Sequence, residues 1–168
     1  MKLLHFVLLA ILLGCLNAKP QFDIELPEGY VVEVTSDEYN LLTASKYSNG
    51  EAVAMIEIRY SDDWSFSTFS NEVYIAEMLE NDHIEKAASM MFENFNIHSK
   101  EKLYLTVVGD CVSSIYSGDY YENGVRVTNF VVQFVKNDNL FTLSGSAFPE
   151  NFSSEYKSFL KSFDTFTQ

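Results

Sequence analysis

Alternation of apolar and polar residues predicts short β-strands in the first third of the chain. Residues 22–26 alternate between apolar and acidic side chains, and a second strand over residues 30–34 follows a Pro-Glu-Gly turn. Residues 41–47 and 53–60 flank Asn49 and Gly50, a pair that tolerates positive φ and is typical of tight hairpins. This part of the chain is therefore expected to be a series of strands that includes one hairpin.

The hydrophobic period changes to that of a helix between residues 71 and 95. Val73, Ala76 and Leu79 lie on one helical stripe, and a second apolar stripe runs over residues 84–95. Asp82 and the glutamate three residues after it have the spacing of a capping box, with Asp in place of Ser or Thr. The pattern predicts two helices, or one kinked helix, whose methionine and aromatic side chains belong to the core.

Strands return in the second half of the chain. Asn123-Gly124 and the Asn-Asp-Asn turn at residues 137–139 are short, polar connections, so the strands that they join should be antiparallel neighbours. The predicted strands are residues 103–108, 112–121, 125–136 and 140–147.

The strand over residues 125–136 is apolar on both faces. Its two faces carry Val127, Val131 and Val135 on one side and Phe130, Val132 and Phe134 on the other. A strand of this kind must be covered on both faces, so helices are expected on each side of the sheet. One cover is a helix that begins at Pro149 and repeats aromatic residues at helical spacing. The predicted fold class is α+β: an antiparallel sheet of about six strands with helices on both faces, an αβα sandwich.

Two segments resemble the PsbP-like superfamily. The first is the opening Phe-Asp-Ile-Glu-Leu-Pro-Glu-Gly-Tyr at residues 22–30, and the second is the strand 130–136, its short turn, residues 140–143 and the aromatic helix that follows Pro149. The resemblance covers nearly all of residues 19–168, although Tyr30 stands where many relatives carry Trp. It implies the αβα sandwich and non-enzymatic partner binding, since its members include a photosystem extrinsic subunit, a Ran-binding import factor, bacterial envelope lipoproteins and toxin chaperones.

The first eighteen residues have the pattern of a secretory signal peptide. Lys2 precedes an apolar run over residues 3–15, which is too short for a ~30 Å hydrocarbon core that needs roughly 20 residues. Cleavage after Ala18 would leave residues 19–168 as one PsbP-like domain. The alternative is a lipobox at residues 12–15, in which Cys15 becomes an acylated N-terminus. A secreted or periplasmic protein of the cell envelope is predicted, without a membrane span and with a lipid anchor only in the second case.

The charge of the chain narrows the choice of partner. The formal net charge is −13, with 11 basic and 24 acidic residues, so the Lys and Arg clusters that nucleic-acid phosphates require are missing. An acidic surface suits a basic protein partner or serves solubility alone. Cys111 is the one cysteine beyond residue 18, which leaves no intrachain disulfide and favours a small buried side chain.

Catalytic and metal-binding patterns are not found in the sequence. His83 and His98 lie outside any zinc-ligand spacing, and no phosphate loop, nucleophile elbow or calcium loop occurs. We therefore predict no enzymatic activity, no cofactor and no metal site.

One aromatic and acidic segment is the candidate partner-binding site, and the alternative is that its aromatic residues pack beneath the helices. Aromatic side chains are favoured anchors at protein interfaces. The candidate residues are Asp62, Asp63, Trp64, Phe66 and Phe69. The favoured function is an exported, non-enzymatic binding or scaffold protein. Two alternatives remain: an immunity or chaperone-type protein that binds a basic exported toxin, and an enzyme with an unrecognised site.

Overall fold

One antiparallel sheet of seven strands organises the computed structural model, which describes residues 19–33, 37–63 and 68–168. In chain order the strands are β1 (Tyr30–Glu33), β2 (Asn40–Ser48), β3 (Glu51–Ser61), β4 (Phe92–Leu105), β5 (Gly109–Tyr120), β6 (Arg126–Lys136) and β7 (Asn139–Ala147). The helices are α1 (Asn71–Glu80), α2 (His83–Ser89) and α3 (Pro149–Phe163). The strand order is β1-β2-β3-β7-β6-β5-β4. The predicted α+β sandwich is confirmed, with seven strands in the described ranges where about six were expected.

Helix α3 covers one face of the sheet and buries the larger core. Its Phe159 and Phe163 are fully buried, and Phe166, just beyond the helix, closes the same cluster. Phe130 of β6 stacks on Phe163 with ring centroids 5.6 Å apart. Because each aromatic side chain removes a large apolar area from water, this layer is a main source of stability.

Helices α1 and α2 cover part of the opposite face. Tyr74 and Ile84 pack with Val135 of β6, and Ala88 of α2 packs with Val131. Strand β6 is therefore covered on both sides, as its two apolar faces predicted. The helix pair lies over β4, β5 and β6 and does not extend over the half of the sheet that contains β2 and β3.

A buried carboxylate attaches the edge strand β1 and its neighbour β2 to α3. Glu155 is buried and accepts hydrogen bonds from Lys46 Nζ at 2.6 Å and from the Tyr30 hydroxyl at 2.9 Å. Burial and the hydrogen bond to Glu155 both raise the pKa of Tyr30 above its ordinary value. These side-chain contacts join α3 to β1 and β2, which are themselves paired through the backbone.

The predicted strand over residues 22–26 is wrong. Its apolar residues do pack against the core beneath α3, so the alternation of apolar and acidic residues correctly indicates that one side of the segment is buried. The backbone, however, pairs only at Asp23, which forms a two-bond bridge with Thr167. Glu25 is held by side chains instead, because its N–H donates to Thr165 Oγ1 at 2.9 Å and its carbonyl accepts from Ser162 Oγ at 2.6 Å.

The boundary between the helical region and the strand after it was also misplaced. Helix α2 ends at Ser89, and β4 begins at Phe92 rather than near residue 103. Asn94 has a positive φ of 48°, and the register of β4 against β5 shifts there. This irregularity interrupts the alternation of apolar and polar residues by which the start of the strand would be recognised.

The capping box predicted at Asp82 does not form. The Asp82 side chain makes no capping hydrogen bond and pairs instead with Lys86 Nζ at 2.7 Å, one helical turn ahead. Helix α1 has the side-chain cap, since Ser70 Oγ accepts from the N–H of Val73. In the part of the chain that the structure describes, no helix is long and apolar enough to cross a membrane.

Candidate binding site

A groove of about 490 Å³ lies where the helix pair α1–α2 ends and the uncovered half of the sheet begins. Its floor consists of side chains from β3, β7, β6 and β5, and one wall is formed by the helices. A volume of this size is within the range of small-molecule and peptide pockets, roughly 300–1,000 Å³.

The strand register explains why the floor of the groove is polar. Neighbouring residues across four strands form parallel rows that point to the same face of the sheet. One row is Met55, Ser146, Asn129 and Tyr116; the next is Glu57, Ser144, Val131 and Ser114; the third begins with Arg59, Thr142 and Gln133. Hydroxyl, amide and charged groups therefore gather over β3 and β7, where the helices of the described ranges leave this face open.

Most polar groups of the floor bind one another. Gln133 Nε2 donates to Thr142 Oγ1 at 3.2 Å, and Ser146 Oγ donates to Asn129 Oδ1 at 2.5 Å. Arg59 contacts Glu57 Oε1 at 3.3 Å, which brings the two opposite charges of the floor together. The floor is thus polar but nearly neutral.

Two buried amide atoms on this face have no hydrogen-bond partner among the described residues. Asn129 is 3% exposed, and its Nδ2 is unpaired although its Oδ1 is held by Ser146. Asn40 is buried on β2, and its Oδ1 is unpaired while its Nδ2 donates to Glu57 Oε1 at 3.0 Å. A buried unsatisfied polar group costs about 1–3 kcal/mol, so these two atoms are candidates for bonds to a bound molecule.

The helical wall of the groove is apolar and rich in methionine. Met78, Ile84 and Met91 line it, and Met55 contributes from the floor. Methionine side chains are flexible and polarisable, and they are frequent on surfaces that accept varied partners. The adjacent Met90 is 79% exposed and does not line the groove.

Two tyrosines of β5 at the edge of the floor have raised pKa values. Burial, followed by the neighbouring Tyr120, raises the pKa of Tyr116 to about 12. Burial is also the main cause of the raised pKa of Tyr120, and the charge of Glu57 adds to it. Since Glu57 lies on β3 and Tyr120 on β5, the field of this carboxylate extends across the groove.

None of the residues proposed from sequence that the structure describes lines this groove. Asp62 is half-buried, Asp63 is exposed and Phe69 is 47% exposed, whereas Trp64, Phe66 and the candidate lipidation residue Cys15 lie outside the described residues. The charge of Asp62 contributes to the raised pKa values of Tyr39 and Tyr60.

A shallower pocket of about 300 Å³ connects the two regions. Tyr39, Tyr60 and Ser61 line it near the start of the aromatic and acidic segment, and it shares Arg59 and Thr142 with the groove. The segment therefore begins at the end of the groove that contains the charged pair.

The groove residues were missed because each one is unremarkable in sequence. The available signal was the polar series at alternate positions of β7, Thr142, Ser144 and Ser146, opposite Phe141, Leu143 and Gly145. A strand in the middle of a sheet covered on both faces would be apolar on both. A polar face on a central strand therefore marks the place where the second layer is missing.

Cys111 is a buried core side chain, and the acidic residues of the described ranges do not form a metal-binding group. Cys111 is buried, and burial raises the pKa of its thiol to about 12, as expected for a small core side chain. Within those ranges no three His, Cys, Asp or Glu side chains are grouped so that they could hold a metal ion.

Three solved structures have this fold at low sequence identity. Cyanobacterial PsbP from Synechocystis is 10% identical with a TM-score of 0.56, covering 87% of this chain and 85% of its own. LpqN of Mycobacterium tuberculosis, described as involved in cell envelope biogenesis, is 12% identical with a TM-score of 0.53, covering 88% and 82%. A Pseudomonas aeruginosa protein of unknown function is 14% identical with a TM-score of 0.54, covering 92% and 87%.

These likenesses establish the fold of the chain. The protein has the fold of the PsbP-like superfamily, as its opening segment and its C-terminal strands and helix suggested. No protein-family model matches the sequence. No curated protein matches it significantly either.

Proposed function

We propose that this chain is an exported, non-enzymatic binding protein of the cell envelope, and that the groove beside α1 and α2 is its binding site. The main observation that supports this proposal is the groove, a concave site with an apolar helical wall and a polar floor that contains an unpaired amide. A pocket of this composition with a few convergent polar groups is the typical form of a ligand site. The fold shared with an envelope protein and with PsbP supports the same class of function.

Partner contact is proposed to extend from the groove onto the segment Asp62–Phe69. Phe69 is exposed on this segment, and Arg59 belongs both to the groove and to the adjoining pocket. A protein partner that enters the groove would therefore meet aromatic and acidic side chains at its end.

A second candidate function is favoured by the charge of the chain. The net charge of −13 suits an immunity or chaperone-type protein that neutralises a basic exported toxin. The identity of the captured partner separates this function from a general scaffold.

Export through the N-terminal segment is part of the proposal. Cleavage after Ala18 predicts a native N-terminus at Lys19, and the lipoprotein alternative predicts an acylated Cys15. Mass spectrometry of the native protein distinguishes the two, and an intact Met1 on cytoplasmic protein would contradict both.

The binding function is tested by filling the groove. Ala87 of α2 is exposed and lines the groove, so Ala87→Phe should block it without disturbing the core. Ser89→Phe is the matched control, because Ser89 is exposed on the opposite side of the same helix, two residues or about 200° away. We expect affinity capture from the native envelope fraction to recover a partner with the wild type and Ser89→Phe, and to lose it with Ala87→Phe. Equal recovery with all three chains would contradict the groove as the binding site.

A further inference from the structure

We propose that the groove binds a short, extended, apolar segment of a basic partner protein, with the Asn129 amide donating a hydrogen bond to a backbone carbonyl of that segment. This inference rests on the proposed binding function and specifies its ligand as a peptide.

The dimensions of the floor fit an extended peptide. The row positions Thr142, Ser144 and Ser146 run along β7, and four residue steps at about 3.4 Å give a length of roughly 14 Å. An extended peptide of about four or five residues has the same length. The apolar wall runs beside this line, so alternate side chains of the peptide can pack against the helices while the backbone lies over the floor.

The unpaired atoms match the polar groups of a peptide bond. Asn129 Nδ2 is a donor without an acceptor, and Asn40 Oδ1 is an acceptor without a donor, on the same face of the sheet. A peptide backbone carries both carbonyl acceptors and N–H donors at regular spacing. Asn129 lines the groove and Asn40 does not, so the bond to the peptide is assigned to Asn129, and the flexible Met55 in the same row of the floor is the side chain expected to move aside.

The wall favours partners that vary in sequence. Met55, Met78 and Met91 surround the groove, and their unbranched side chains can adjust to aliphatic residues of different shape. The binding energy is then expected to come from apolar side chains, while the floor fixes the position of the backbone.

Charge complementarity identifies the partner as basic. Glu57 in the floor is already paired with Arg59, so the negative charge that faces a partner is that of Glu77, exposed on α1 beside the groove-lining His83, and of the acidic surface around the groove. With the net charge of −13, these carboxylates attract Lys and Arg side chains on a peptide and repel acidic ones.

A fluorescein-labelled peptide, acetyl-Leu-Lys-Leu-Lys-Leu-amide, is the direct probe. We expect saturable binding in fluorescence anisotropy, and binding at least about tenfold weaker for acetyl-Leu-Glu-Leu-Glu-Leu-amide because acidic side chains are repelled. Absence of saturable binding, or equal affinity for both peptides, would overturn the proposal.

Adjacent methionines supply a matched pair of variants. Met91 lines the groove and is 51% exposed, whereas Met90 is more exposed and does not line it. Met91→Ser should weaken the basic probe about fivefold or more, and Met90→Ser should change its affinity less than twofold. Equal effects of the two substitutions would place the peptide elsewhere.

The amide is tested by Asn129→Leu, which keeps the approximate shape and removes both polar atoms. About tenfold weaker binding of the basic probe is expected, and the melting temperature is measured alongside because the substitution also removes the hydrogen bond from Ser146 Oγ. Undiminished binding by the folded variant would contradict the hydrogen bond. If this variant does not fold, Asn129→Ser, which retains a small polar group, replaces it with the same expectation.

The proposed binding function and the peptide inference are contradicted by different results. If Ala87→Phe abolishes partner capture while neither peptide binds and octyl glucoside competes with the partner, the groove binds a small amphipathic molecule and the peptide inference is wrong. If capture is insensitive to Ala87→Phe, the proposed function is wrong, whatever the peptides do.

Discussion

At the scale of single residues, Gly145 shows how closely α3 approaches the sheet. It lies on β7 between Ile56 and Phe130 of the neighbouring strands, and the fully buried Phe159 ring sits directly over it. A Cβ built on Gly145 would be 2.7 Å from Cδ1 of Phe159 and still closer to two other ring carbons. The aromatic ring occupies the space that any side chain at residue 145 would need.

Gly145→Ala is therefore expected to destabilise the protein by about 1–3 kcal/mol, because overpacking forces the ring or the strand to shift. Chemical denaturation measures the change in the free energy of unfolding. In a Phe159→Leu background, where the ring is absent, the same substitution should cost clearly less. Additive effects of the two substitutions would show that the contact with Phe159 does not limit residue 145.

Predictions from sequence were least successful for individual side chains. Asp82 had the correct spacing for a capping box, but the nearby Lys86 attracts its carboxylate instead. Asn129 carried no signal at all, since its unpaired amide results from register with Ser146 and from burial. The Asp82–Lys86 pair is an i,i+4 contact that competes locally with the cap, whereas the state of Asn129 depends on which side chains meet across strands, and local sequence does not encode that information.

At the scale of elements, the two-sided apolar pattern of β6 was the most informative observation. It predicted covers on both faces, and α3 and the α1–α2 pair provide them. The tight turns were equally readable, because Asn49 and Asn137 both adopt the positive φ that their turn sequences suggested. Hydrophobic period and turn chemistry are local properties, so they transfer directly from sequence to structure.

Two segments were assigned to the wrong element because their hydrophobic pattern does not determine their backbone hydrogen bonds. Residues 22–26 alternate because one side packs on the core, yet their hydrogen bonds go mainly to the end of α3 and the residues after it. The start of β4 was assigned to the preceding helix because Met91, Phe92 and Phe95 fit either period. Alternation predicts one-sided burial, and only the three-dimensional neighbours decide which groups satisfy the backbone.

Phe134→Asp tests the cover that α3 provides for β6. Phe134 is fully buried and stacks on Phe141 with centroids 5.5 Å apart, with Phe166 at 5.8 Å. A carboxylate there would be buried without a partner, so we expect a loss of at least ~3 kcal/mol or failure to fold.

The control for this experiment is Val32→Asp on the edge strand β1, where the side chain is mostly exposed. It should change the free energy of unfolding by no more than ~0.5 kcal/mol. A loss below ~1 kcal/mol for Phe134→Asp would show that this face is open to solvent.

At the scale of the whole molecule, buried tyrosines connect the separate layers and make stability depend on alkaline pH. Burial raises the pKa values of Tyr30 beneath α3, of Tyr74 on α1 and of Tyr116 on β5. Below about pH 10, tyrosine is neutral in the folded and unfolded states alike, so these groups add no pH dependence.

Between about pH 10 and 12, the unfolded chain loses tyrosine protons that the folded chain retains. The unfolded state then binds fewer protons, and the free energy of unfolding decreases as pH rises. For Tyr116, whose pKa in the fold is about 12, the full loss is about 2–3 kcal/mol. Thermal melts should therefore show a steep fall in melting temperature between pH 10 and 12. A smaller decline should precede it from about pH 8.5, because burial also raises the pKa of the Cys111 thiol, which then ionises first in the unfolded chain.

Paired tyrosine variants separate this mechanism from general alkaline damage. Tyr116→Phe should make the fall in melting temperature with pH less steep, because one protected proton is removed. Tyr104→Phe, at an exposed position of β4, should leave that fall as in the wild type. Absorbance at 295 nm should rise in two stages, the second coinciding with loss of the circular dichroism signal as the buried rings ionise on unfolding. If all tyrosines ionise in one stage while the protein remains folded, the layers do not shield them. The link between burial and alkaline unfolding would then be wrong.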